Sequence, residues 1–217
     1  AVIIIMFCFV STSVSSQWKS YYPKSSKKET QKIDVSKFND SFFNAIKSKS
    51  LEEYDQAKIL FQECIKIDSK QSAPYYELAL INKSAGDFDK ATYRIKEAID
   101  IEKNNRWFLF LYADILFLNN DFSAAARQYQ QLIKLEPNNE ELYFNLAETY
   151  IYLNNLPKAI KAYDDLQKKI GINKTISTQK YRLYMETNKK ENAIKELLLF
   201  LEKFPNDVEM LEMLSEV

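Results

Sequence analysis

The sequence contains no histidine, and it has only two glycines, two cysteines and five prolines in 217 residues. Histidine is the commonest general base and the commonest metal ligand, so its absence argues against acid–base catalysis and against a metal site. Sheet-rich folds need many tight turns, in which glycine and proline are the usual residues. The scarcity of both residues therefore favours a helical fold.

The chain also lacks a charge excess of either sign, because thirty Lys and Arg side chains balance thirty Asp and Glu side chains. A nucleic-acid-binding domain usually carries a basic excess that neutralises phosphates. The lysine-rich stretch over residues 19–37 is local, and we interpret it as part of a solvated linker. We therefore expect no nucleic-acid partner.

The first sixteen residues predict a targeting segment. The apolar run AVIIIMFCFV is followed by small residues, as in the back part of a secretory signal cleaved before Ser16 or Gln17. Two alternatives stay open: a lipoprotein in which Cys8 is lipidated, and an uncleaved membrane anchor. Residues 17–37 are interpreted as a polar linker without a core of its own.

A repeat of 34 residues begins at Phe38 and continues without a gap. The aligned segments are 38–71, 72–105, 106–139, 140–173 and 174–207, with a partial sixth at 208–217. Small residues recur at two positions of this register. Position twenty holds Ala57, Ala91, Ala125, Ala159 and Ala193, and position eight holds Ala45, Ala79, Ala113, Ala147 and then Tyr181.

With these columns, and with Pro137 and Pro205 at position thirty-two, the sequence resembles the tetratricopeptide-repeat (TPR) family, in particular exported TPR proteins of Bacteroidetes-type bacteria. The resemblance covers residues 38–217 and implies an all-α fold, a right-handed superhelical solenoid of about five antiparallel helix pairs, A then B. Small residues let helix axes approach to about 8–10 Å. In repeat one, Ser41 and Asn44 replace large apolar residues, so loose packing is expected there.

The resemblance also implies that positions two, five, nine, twelve and thirteen of the A helices line a concave groove for a protein or peptide partner. The candidate partner-binding residues are Phe42, Tyr76, Trp107, Phe110, Asp114, Phe117, Phe144, Glu148, Ile151, Tyr152 and Arg182. For Phe42 and Tyr76, packing against adjacent helices is an equal alternative. Trp107, Phe110 and Phe144 are expected to face the partner.

The charged candidates at position nine allow two interpretations. Glu148 and Arg182 are expected to form an ion pair across neighbouring A helices. Alternatively, Asp114 and Glu148 receive a basic residue of the ligand. The same two carboxylates could form a catalytic pair, but no nucleophile, phosphate-binding loop or metal-ligand cluster accompanies them.

We therefore expect a non-catalytic scaffold for protein–protein interaction, with no cofactor, no metal and no catalytic residue. The resemblance to exported proteins of Bacteroidetes-type bacteria implies the periplasm, and a part in a secretion or outer-membrane assembly machinery. The scaffold would meet a membrane only through a partner or an uncleaved anchor. The alternative is a structural spacer whose groove is filled by its own C-terminal continuation. Cys64 falls at a buried helix position and is expected to be an inert core thiol.

Overall fold

The computed structural model describes residues 33–217, so the predicted signal segment and most of the predicted linker lie outside the described residues. Within this range the regular structure consists of eleven α-helices and no strand, which confirms the all-helical prediction. The helices are α1 (Val35–Ser50), α2 (Tyr54–Ile67), α3 (Ala73–Ser84), α4 (Phe88–Ile101), α5 (Arg106–Leu118), α6 (Phe122–Leu135), α7 (Glu140–Tyr152), α8 (Leu156–Ile170), α9 (Lys174–Glu186), α10 (Lys190–Lys203) and α11 (Val208–Ser215).

The first helix begins before the predicted repeat boundary at Phe38. The carboxylate of Asp34 accepts a hydrogen bond from the backbone N–H of Lys37 at 3.0 Å and caps the helix, which starts at Val35. The last residues of the predicted linker are therefore helical. The prediction missed this cap because it placed the boundary by repeat register.

The chain divides into two compact units between Leu78 and Ala79, within α3. In the first unit α1 packs against α2, and Phe38, Phe42 and Phe61 form the core between them. In the second unit each helix from α4 to α11 packs against the next one along the chain. Each A helix of the second unit thus contacts the B helix of its own repeat or of the preceding one, as stacked helix pairs require.

The small residues of the repeat are buried without exception. Each of the five alanines at position twenty and the four alanines at position eight has 0% of its surface exposed. Tyr181, which stands at position eight in repeat five, is half-buried instead. This burial confirms that the two columns are places of close backbone approach, where a larger side chain would overpack the interface.

Cys64 is a core residue, as predicted. Its side chain is fully buried, and its Sγ lies 3.8 Å from the backbone carbonyl oxygen of Phe38. Burial, together with the nearby Glu63 carboxylate, raises the pKa of the Cys64 thiol to about 12. The thiolate is therefore not formed at neutral pH, and the thiol is unreactive.

In all five A–B turns, the residue at position fifteen of the repeat has a left-handed backbone, with φ between 52° and 74°. The residues are Glu52, Gly86, Asn120, Asn154 and Asn188. In repeat three the N–H of Asn120 donates to Phe117 and the N–H of Asp121 donates to Leu116, at 3.0 and 2.9 Å. This pair of bonds is a Schellman motif, which ends the A helix and starts the turn.

Glu52 is the one residue of this set that is neither glycine nor asparagine, the types that tolerate a positive φ. We expect Glu52→Asn to raise the free energy of unfolding by about 0.5–1 kcal/mol, since it relieves backbone strain at an exposed turn. Urea unfolding followed by circular dichroism measures the change. Glu52→Gln is the control, because it removes the charge and keeps the strain. Equal effects of the two variants would contradict the strain argument.

Repeat five departs from the apolar pattern in its core. Ser177 and Lys180 stand at positions four and seven, where earlier repeats mostly carry large apolar residues, and both are buried. The Lys180 ammonium lies 2.5 Å from Glu196 and 2.7 Å from Asp164, and the Ser177 hydroxyl donates to Glu196 at 2.9 Å. A buried polar network between α8, α9 and α10 thus replaces apolar packing.

Candidate interaction surface

The two most exposed aromatic candidates of the second unit stand on neighbouring A helices. Trp107 in the first turn of α5 is 56% exposed, and Tyr152 at the end of α7 is 58% exposed. Asn105 caps α5 by accepting a hydrogen bond from the backbone N–H of Trp107 at 3.1 Å. The guanidinium of Arg106 lies 4.8 Å from the centre of the Trp107 ring, while it also pairs with Glu136. The helix start therefore presents the Trp107 side chain to solvent, as predicted for this residue.

An aromatic cluster connects repeats three and four. The ring of Tyr152 stacks on Phe122 with their centres 4.9 Å apart, and Phe117 meets both rings edge-on at 5.1 and 5.3 Å. The sequence predicted Phe117 and Tyr152 as surface residues but did not include Phe122. Since position seventeen directly follows the A–B turn, the repeat register could have placed Phe122 beside them. Ile151, the neighbour of Tyr152, is half-buried.

The aromatic residues at position five pack mainly within their own repeat. In three repeats the ring at position five lies edge-on to the ring at position twenty-four of the following B helix. The pairs are Phe42 with Phe61 at 5.7 Å, Phe110 with Tyr129 at 6.4 Å, and Phe144 with Tyr163 at 5.6 Å. The ring at position twenty-four is therefore the main packing partner of the ring at position five in these repeats.

Burial separates these position-five residues into core and surface. Phe42 is only 3% exposed, so it is a core residue whose ring a partner cannot reach. This corrects its place among the candidates and agrees with the packing alternative. Phe110 and Phe144 are half-buried and keep one side open to solvent. Tyr76 is also half-buried and belongs to the first unit.

The charged candidates do not pair as predicted. Among the described residues, Glu148 and Arg182 are both exposed and neither forms an ion pair, so the expected Glu148–Arg182 pair is absent. Asp114 instead forms an ion pair with Lys83 of α3. The sequence analysis did not predict this pair. Lys83 is at position twelve of repeat two and Asp114 at position nine of repeat three, and both positions are among those expected to line the groove.

Carboxylates on α5 and α7 act on two buried tyrosines of the neighbouring B helices. Burial, and then the charge of Glu148, raises the pKa of Tyr163 to about 12. Burial also raises the pKa of Tyr129, with further contributions from Asp114, Glu148 and Glu141. Both tyrosine hydroxyls, on the B helices α6 and α8, therefore stay protonated at neutral pH.

The described residues contain neither a metal-binding cluster nor a membrane span. Across residues 33–217, no three His, Cys, Asp or Glu side chains are grouped so that they could hold a metal ion. Over the same residues, each helix is too short or too polar to cross a bilayer.

Two family models match segments of the sequence in the same register. A model described as TPR repeat matches residues 113–152, and one described as tetratricopeptide repeat matches residues 48–71 and 140–168. The chain carries tetratricopeptide repeats. These segments fall in repeats one, three and four of the alignment, which confirms the resemblance inferred from the alanine columns. No curated protein matches the sequence significantly.

Solved structures of other TPR proteins share this fold. MamA is 17% identical with a TM-score of 0.66, and the match covers 80% of this chain and 94% of MamA. YrrB, described as a TPR protein with an unusual peptide-binding site, is 15% identical with a TM-score of 0.60, covering 80% of this chain and 89% of YrrB. A tetratricopeptide repeat protein from Parabacteroides merdae is 14% identical with a TM-score of 0.65, covering 83% of this chain and 72% of its own. At these identities the likeness shows the fold alone. Parabacteroides merdae belongs to the Bacteroidetes, which gives loose support to the predicted resemblance to proteins of such bacteria.

Proposed function

We propose that this chain is a non-catalytic scaffold that binds a segment of a partner protein across α5 and α7. TPR proteins in general bind proteins or peptides, and the TPR fold is the starting point of the proposal. The observation that carries the choice of surface is the pair of exposed aromatic side chains, Trp107 and Tyr152, on neighbouring A helices. Large aromatic side chains are the commonest anchors of protein interfaces.

The energetic basis is the apolar area that a ligand would cover. Tyr152 is held by its stack on Phe122, and Trp107 by the Arg106 guanidinium, so both rings are partly ordered before binding. Ordering a side chain on binding costs about 0.5–1.5 kcal/mol, and preorganisation reduces this cost. Leu118, 41% exposed, adds apolar area at the end of α5, next to Phe117 in the sequence.

Charge defines the second requirement for the ligand. Asp114 already has Lys83 as its counter-ion, whereas Glu148 has no ion-pair partner among the described residues. A basic ligand residue at Glu148 would gain a charge-assisted contact without displacing an existing one. We therefore propose a ligand segment in which Lys or Arg is flanked by large apolar residues.

Selection from a displayed random peptide library tests this ligand class directly. Peptides enriched on the purified chain should combine a basic residue with aromatic or branched apolar residues. Selection on the Glu148→Gln variant should keep the apolar preference and lose the basic one. Enrichment of acidic peptides on the wild-type chain, or an unchanged basic preference with Glu148→Gln, would contradict the proposal.

The cellular setting is part of the same proposal. The apolar run at residues 1–10 supports export, and with it a role in periplasmic secretion or outer-membrane assembly. Fractionation of the producing cells with an antibody to the chain tests the location. Recovery of the protein from the cytoplasmic fraction would contradict export.

A structural spacer is the alternative reading of the same surface. In that case a C-terminal continuation of the chain would cover α5 and α7 itself. A selected peptide would then bind residues 1–217 but fail to bind a form of the protein that includes such a continuation. Equal affinity of both forms for the peptide favours the scaffold.

A further inference from the structure

A cavity of about 550 Å³ lies away from the aromatic surface, between the B helices α6 and α8. Its apolar lining comes from Ile133 of α6, Leu146 of α7 and Ala162 of α8. Three lysines also line it, Lys134 of α6 and Lys158 and Lys161 of α8. Small-ligand sites are typically about 300–1,000 Å³, with an apolar lining and a few polar groups.

The cavity exists because repeat four has small and apolar residues where repeat five has its buried polar network. Positions seven and twenty-three are Lys180 and Glu196 in repeat five, where they fill the space between α8 and α10. The equivalent residues here are Leu146 and Ala162. The other repeats carry longer side chains at position twenty-three, namely Leu60, Arg94, Gln128 and Glu196.

The Gln130 and Tyr143 side chains of the lining are already hydrogen-bonded, and the Tyr143 hydroxyl donates to the carbonyl oxygen of Pro137 at 2.9 Å. The amide of Gln130 donates to the hydroxyl of Tyr150 at 2.7 Å, which holds the Gln130 side chain against α7. A ligand in the cavity would therefore meet apolar walls inside and would find its polar partners at the rim.

The rim carries an excess of positive charge. Among the described residues, Lys134 and Lys158 form no ion pair, and the Lys158 ammonium lies 5.4 Å from the centre of the Tyr150 ring. Lys161 shares the carboxylate of Asp165 with Lys168, at 2.5 and 3.1 Å. Three lysines thus line the cavity against one aspartate, which favours an anion there.

We propose that this cavity binds a carboxylate on an apolar stem. The stem would lie against Ile133, Leu146 and Ala162, and the carboxylate would be held by Lys134 and Lys158. Either a medium-chain fatty acid or the apolar C-terminus of a polypeptide supplies this chemistry. The site is separate from the α5–α7 surface, so its occupancy does not depend on the scaffold function.

Two anionic probes with matched controls distinguish the sources. Decanoate below its micelle concentration represents the fatty acid, and decyltrimethylammonium is its cationic control. Acetyl-Leu-Leu-Phe with a free carboxylate represents the C-terminus, and its amide is the neutral control. With alanine methyl groups labelled for NMR, binding should shift the Ala162 methyl signal in a saturable way for at least one carboxylate and for neither control. A response to decanoate alone supports the fatty acid, and a response to the tripeptide alone supports the C-terminus.

Two variants locate the binding, with calorimetry as the readout. Ala162→Leu should fill the cavity, and the double variant Lys134→Gln, Lys158→Gln should remove the rim charges. Each of these two variants should bind the carboxylate probe at least tenfold more weakly than the unchanged chain. Lys195→Gln, at the position in repeat five that corresponds to Lys161, is the control and should leave the affinity unchanged. If Ala162→Leu fails to fold, the double lysine variant decides. Saturable binding of neither carboxylate, binding of the decyl cation as tight as that of decanoate, or full affinity in the double lysine variant overturns the proposal.

Discussion

Lys180→Met is expected to lower the free energy of unfolding by about 3–5 kcal/mol, the cost of leaving one partner of a buried ion pair uncompensated. Both side chains of the Lys180–Glu196 pair are nearly inaccessible, at 6% and 5% exposure. Burial opposes the charge of Lys180, but its bonds to Asp164 and Glu196 outweigh that effect and raise its pKa. The contribution is therefore complete below the ordinary lysine pKa and is lost as the pH rises through the raised value.

The double variant Lys180→Met, Glu196→Leu should recover most of this loss. Replacing both charged partners by apolar side chains of similar volume leaves neither charge of the pair uncompensated, and such replacements are often neutral. Urea unfolding of both single variants and the double variant gives the coupling free energy. Lys195→Met on the same helix α10 is exposed and should change stability by less than about 0.5 kcal/mol. A loss below 1 kcal/mol for Lys180→Met, taken as roughly the level of a surface pair, would contradict the network.

Joint substitution of Trp107 and Tyr152 by Ala should weaken a selected peptide at least 100-fold. Interface anchors of this type each contribute about 2 kcal/mol or more, and a factor of ten corresponds to about 1.4 kcal/mol. Both side chains are more than half exposed, so their removal opens no cavity in the core. Fluorescence anisotropy of the labelled peptide measures the affinity.

Tyr93→Ala is the matched control for this loss. Tyr93 on the B helix α4 has the same 58% exposure as Tyr152. It lies outside the proposed surface, and its hydroxyl donates to Glu97 of the same helix. We expect its removal to change the affinity less than twofold, while equal losses for Tyr93→Ala and Tyr152→Ala would show that the effect is not specific to α5 and α7.

The fold was largely predictable because it depends on small residues at fixed positions of the repeat, where helices pack closely. A residue that must be small leaves an alanine column, and Ala125 and Ala159 mark the same close approach one repeat apart. Helix ends were less predictable, since the cap at Asp34 depends on a single side chain outside the repeat. All five B helices nevertheless begin at the same position of the register, position seventeen.

The exposure and pairing of the candidate surface residues were only partly predictable. The exposure of Phe42 and Phe110 depends on the ring at position twenty-four and on how neighbouring helices cover each phenylalanine. No single position of the repeat shows this. The Lys83–Asp114 pair depends on two long side chains meeting between repeats. The polar core of repeat five was hidden for a similar reason, because Lys180 and Glu196 look like exposed residues until two helices bring them together.

The most direct test of the central claim is the fluorescence of Trp107. The sequence has two tryptophans, Trp18 and Trp107, so Trp18→Phe leaves Trp107 as the single emitter. Titration of this variant with a selected peptide that lacks tryptophan should shift the emission to shorter wavelength, because the half-exposed indole becomes buried, and the shift should saturate with the affinity measured by anisotropy. A peptide that binds with that affinity and leaves the Trp107 emission unchanged would place the binding elsewhere and contradict the account.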